Sequence, residues 1–76
     1  MKTYGDFFSE RLTKVVNEDT HQADFQASQI GYNRKSLYNW MNRKKIPSVH
    51  ALVKIALHYN VSTDWLLGLS NDREVR

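Results

Sequence analysis

The stretch "NRKSLYNWMNRKKIPS", residues 33–48, sets five Lys and Arg around two aromatic rings and contains no acidic residue. Side chains of these types suit a polyanion that also has edges to be read. A nucleic-acid duplex is one. It offers rows of phosphates and, in the major groove, guanine O6 and N7 for Arg or Lys and adenine N6 and N7 for Asn. Arg34, Lys35 and Asn39 are the types that base reading requires, although Arg34 and Lys35 suit phosphate contact or plain solubility as well. Tyr38 can touch a thymine methyl group or a phosphate, and an exposed aromatic is equally at home in a protein interface. Arg43, Lys44 and Lys45 suit phosphate neutralisation at the mouth of a groove, the alternative being a solvated loop.

Charge along the chain supports the same chemistry. From Phe25 through Thr63 there is no Asp or Glu, while Arg34, Lys35, Arg43, Lys44, Lys45 and Lys54 give a local charge of +6 within a chain of net charge +3. A central block of one sign between flanks of the other is the pattern of an electrostatic footprint. A basic face with no partner would read the same way.

The elements that must carry these residues are short helices. Phe8, Leu12, Val15 and Val16 recur at helical spacing and predict a first helix from about Asp6 to Asn17, with Phe7 adding to its buried face. Asp19 or Thr20 is expected to cap a second helix that runs to about Gln29 and ends on Gly31. Ala23, Ala27 and Gly31 fall on one face of it, where small residues let another backbone approach.

Asn33 caps a third helix that continues to about Asn42. At 100° per residue, Arg34, Lys35, Tyr38, Asn39 and Asn42 span about 140° of its circumference, while Leu37 and Trp40 lie opposite and anchor it. Met41 falls on the border. Pro47 forbids continuation through "RKKIPS", and Ser48 caps a fourth helix to about Tyr59 whose apolar positions, Val49, Leu52, Val53, Ile55, Ala56 and Tyr59, predict the most buried element. Ser62 caps a fifth, to about Leu67, which Gly68 ends. The chain thus reads as all-α, with a domain over 1–69 and a polar tail over 70–76.

Other chemistries find little in the sequence. His50 and His58 are eight apart with no carboxylate between them, and His21 lies far from both, so neither metal-binding spacing nor a catalytic constellation is present. No Gly-rich phosphate loop occurs, and no cofactor is expected. The chain has no Cys and no apolar run long enough for a membrane span, so a cytoplasmic protein is expected.

The pattern "AxxxAxxxGYNRKSLYNWMNRKKIPS" followed by "ALVKIALHYNVSTDWLLG" resembles the helix-turn-helix domain of the Xre family, which includes phage Cro proteins and phage repressors. The likeness covers roughly Phe8 to Leu69. It implies a five-helix, lambda-repressor-like fold whose third helix enters the DNA major groove, with Asn33, Arg34, Lys35, Tyr38, Asn39 and Asn42 facing DNA. The implied function is a transcription regulator that binds double-stranded operator DNA, possible as a homodimer.

Three positions depart from the family pattern. Where the family commonly has a phosphate-touching Gln, this chain has Ala23, with Gln22 one residue earlier. Gln26 stands where Leu is preferred. Met41 stands where Glu is common, and with Tyr38 it leaves open a second reading, a module of the same fold that binds and modulates a repressor protein. The length favours a complete Cro-like chain, although an isolated amino-terminal domain would read identically.

Overall fold

The computed structural model describes residues 1–75, and Arg76, the last residue of the expected tail, lies outside them. Five helices follow in order, α1 (Tyr4–Glu18), α2 (Ala23–Ile30), α3 (Arg34–Met41), α4 (Val49–Tyr59) and α5 (Thr63–Leu66), with no strand among the described residues.

Most boundaries follow from local chemistry. Asn33 Oδ1 accepts from the Ser36 N–H, Ser48 Oγ from Ala51, and Ser62 Oγ from Asp64 and Trp65, so α3, α4 and α5 begin on the expected caps. Gly31 ends α2 with φ of 95°, a left-handed conformation that costs glycine little. α1 begins two residues earlier than Asp6. Thr3 Oγ1 accepts from the Asp6 N–H at 3.1 Å while Asp6 Oδ2 accepts from the Thr3 N–H at 3.0 Å, a reciprocal capping box that fixes the start.

Two expectations are corrected. α2 does not begin on Asp19 or Thr20 but on Gln22, whose side chain makes no capping bond. Asp19 instead accepts from both the backbone N–H and the ring of its neighbour His21, each at 2.8 Å, which holds residues 19–22 as a loop. Nor is α4 the most buried element. Ala51, Ile55 and Ala56 are buried, Leu52 and Tyr59 are half-buried, and Val49, Val53 and Leu57 are exposed. α4 packs on α2 and α5, which leaves the rest of its apolar circumference uncovered.

The core joins Phe8, Leu12, Val15 and Val16 of α1 to Ala27 and Ile30, to Leu37 and Trp40, and to Ile55 and Leu66. Phe7 is half-buried. Its ring lies over Gly68, where an added Cβ would come within 2.4 Å of it, so the turn after α5 must remain small. One buried polar side chain, Gln26, knits three elements together. Its Nε2 donates to the carbonyls of Val16 and His21, and its Oε1 accepts from the Tyr59 hydroxyl at 2.6 Å.

The segment after α5 is tied back to the body. The Arg11 guanidinium donates to the carbonyls of Trp65 and Ser70 and lies 5.1 Å from the Trp65 ring, with Arg73 at 5.0 Å from the same ring. Arg73 also forms a two-point ion pair with Glu18. That pairing holds the Glu18 carboxyl below its ordinary range and raises the Arg73 guanidinium.

Candidate nucleic-acid interface

Leu37 and Trp40 are 0% and 6% exposed, and they fix the rotation of α3 about its own axis. Trp40 meets Tyr32 edge-on with ring centroids 5.1 Å apart, and its carbonyl accepts from Ser9 Oγ of α1 at 2.6 Å. With those two positions inward, the opposite face must be open. Arg34, Lys35, Tyr38 and Asn42 are exposed, Asn39 is half-buried, and all five line one shallow groove. The structure therefore brings together on one surface every residue expected to face base edges.

The residues expected at phosphates are spread around that groove. Lys44 and Asn33 line it, and the Asn33 side-chain oxygen is already taken by the α3 cap, so its amide N–H groups are what it can offer a ligand. Lys45 is exposed in the loop beyond. Gln22 lines a second, smaller recess at the start of α2 that shares Asp24, Arg34 and Tyr38 with the first. The loop itself is held by the Asn39 carbonyl, which accepts from the backbone N–H groups of Lys44 and Lys45.

Arg43 behaves differently from its neighbours. It takes a left-handed conformation with φ of 62°, and its guanidinium turns toward α1, 3.2 Å from Asp6 and 3.6 Å from Glu10. The Asp6 carboxyl is lowered by the Thr3 backbone hydrogen bond first and by the Arg43 charge further down. Met41 is half-buried against the core, which leaves Tyr38 as the exposed member of the pair considered for a protein partner.

Asp24, Ser28 and Tyr32 also line the groove, and the sequence reading did not single them out. Asp24 and Ser28 are four apart on α2, so helical spacing already puts them on one face, but nothing local says that this face borders α3. Asp24 Oδ1 lies 3.1 Å from Arg34 Nε, the one ion pair of an expected base-reading residue among those formed by the described residues.

A family model described as helix-turn-helix matches residues 26–66, from Gln26 in α2 through α3 and α4 to the last residue of α5. The chain belongs to the helix-turn-helix family. The match spans the turn at Gly31, the whole of α3 and the "IPS" entry to α4, which are among the segments that carry the Xre resemblance. No curated protein and no solved structure matches the chain. The matched stretch contains α3 and most of α2, and the family is one of DNA-binding helix-turn-helix domains. No helix among the described residues is long and apolar enough to cross a membrane.

Proposed function

We propose that this helix-turn-helix protein is a sequence-specific transcription regulator of phage Cro or repressor type that binds operator DNA with α3 in the major groove. The observation that carries the reading is the single open face of α3, where Arg34, Lys35, Tyr38, Asn39 and Asn42 share one groove behind a fixed Leu37 and Trp40 anchor. Arg34 and Asn39 have the fork and amide geometry for two hydrogen bonds to one base. Lys44, Lys45, Gln22 and the Asn33 amide flank them and supply the sequence-independent hold on phosphate. Two copies on half-sites about 34 Å apart would double the number of bases read. The protein acts on DNA in the cytoplasm on this reading.

The decisive experiment is selection of binding sites from a random duplex pool with wild type, Arg34→Ala and Lys45→Ala, together with affinity measured across salt. Wild type should show a preference and a slope of log K against log salt on the order of −3 to −5. Arg34→Ala should lose about 1–3 kcal/mol of discrimination at one base position. Lys45→Ala should keep the preference and make the slope shallower by about one unit. Identical preferences in all three would remove Arg34 from the reading role. Absence of duplex binding even at roughly 50 mM salt would favour the second reading, in which the exposed Tyr38 contacts a repressor protein.

A further inference from the structure

We infer that Asp24 is a positioning residue for base recognition, orienting Arg34 for the base edge while opposing phosphate contact at the same place. The inference rests on the reading of α3 as the base-contacting helix. Its geometry is direct. Asp24 stands in the first turn of α2 and Arg34 in the first turn of α3, and Asp24 Oδ1 is 3.1 Å from Arg34 Nε. A guanidinium has five N–H donors in a planar fork. Asp24 faces the Nε edge as an ion pair rather than as an aligned hydrogen bond, so the four donors on the two terminal nitrogens are left to a ligand, and their end-on pair is the one that can span guanine O6 and N7.

Both side chains of the pair are more than half exposed, so the contact contributes little to folding stability. What it does is conformational. A free arginine samples many rotamers, and restricting them before binding lowers the ordering cost of each hydrogen bond formed later. Asp24 and Arg34 share both recesses at the α2–α3 junction, and Tyr38 closes the same two.

The charge has a second consequence. Among the described residues, Asp24 is the only acid lining either recess, beside Arg34, Lys35 and Lys44. A carboxylate facing a duplex repels phosphate, and its pairing with Arg34 offsets part of that guanidinium's nonspecific attraction. Arg34 is thereby biased toward a base that can engage its remaining donors. The effect is selectivity bought by weaker binding to arbitrary DNA.

The test uses Asp24→Asn, which keeps shape and removes charge, and Asp24→Glu, which keeps charge and moves it by one methylene. Each is compared with wild type and Arg34→Ala in binding to a scrambled duplex across salt and in selection from a random pool. Asp24→Asn should bind the scrambled duplex about threefold to tenfold more tightly at roughly 50 mM salt, with a steeper salt slope. Its preference at the base position that Arg34→Ala erases should fall by about threefold or more. Asp24→Glu should keep the weak binding to scrambled DNA. A merely structural role would lower affinity for all duplexes and the melting temperature together while sparing the preference. That result, or a change in only one of the two DNA readouts, overturns the inference. If wild type and Arg34→Ala differ but Asp24→Asn matches wild type, the role of Asp24 is refuted while the reading of α3 stands. A wild type without base preference removes both.

Discussion

The Gln26 network offers a sharp test of how this domain is assembled. Gln26 is 1% exposed, and its amide makes three hydrogen bonds, to Val16, His21 and Tyr59. Burial first, and the Asp19 charge second, push the Tyr59 phenol well above its ordinary value, so it remains a proton donor over the working pH range. In Gln26→Leu, an apolar side chain of similar size gains about 1.5–2 kcal/mol of burial. Against that, the Val16 carbonyl loses its donor in a dry site, at about 1–3 kcal/mol, while the His21 carbonyl and Tyr59 hydroxyl are partly reached by water and lose about 0.5–1 kcal/mol each. The net is a destabilisation of about 0–3.5 kcal/mol, with its midpoint at roughly 1.7 kcal/mol. Tyr59→Phe leaves Gln26 Oε1 without its donor, at about 1–2 kcal/mol. In the double variant the hydroxyl and its acceptor disappear together, so the combined cost should fall short of the sum by about 1 kcal/mol. Urea melts of the four proteins measure this, and each kcal/mol should also move the melting temperature by about 4–8 °C. Additivity within about 0.3 kcal/mol would refute the network as a coupled unit. Sequence preference on DNA should be unaltered throughout, because α3 is fixed by Leu37 and Trp40 rather than by Gln26.

Three further outcomes are expected. Trp40→Ala should cost roughly 3–5 kcal/mol and unfold or nearly unfold a domain this small, as read by circular dichroism melts; an unchanged melting temperature would overturn the face assignment of α3. Arg43→Gly relieves a left-handed non-glycine residue while losing two surface ion pairs, so stability should change by less than about 1 kcal/mol, and the DNA salt slope should shift by under half a unit against about one unit for Lys44→Ala. The Glu18 carboxyl is held low by Arg73, so its contribution is present above its unfolded pKa and is lost as pH falls through the folded value. Glu18→Gln should therefore flatten the decline of melting temperature below about pH 5, and an unaltered acid limb would show the pair to be inert.

What the sequence made legible was local. Asn33, Ser48 and Ser62 cap helices by bonds spanning two or three residues, Gly31 ends one by its own conformational freedom, and the open face of α3 follows from spacing alone once Leu37 and Trp40 point inward. What escaped was set across elements. The start of α2 depends on a glutamine that takes carbonyls from the end of α1 and the following loop and a hydroxyl from α4, and Asp19, a better cap by type, was consumed by His21. The apolar circumference of α4 could not reveal that its main packing would be on α2 and α5. Arg43, Lys44 and Lys45 are equivalent as a run of charges, yet a left-handed turn at Arg43 and the acids Asp6 and Glu10, four apart on α1, give the first of them a partner inside the protein. The same holds for Arg34, whose partner lies ten residues away on another helix. A basic block in sequence thus states how much positive charge is available, and the fold decides how much of it faces outward. On that ground Arg43 is better suited to ending α3 than to gripping DNA, and Lys44 and Lys45 are the cations whose removal should register in the salt dependence.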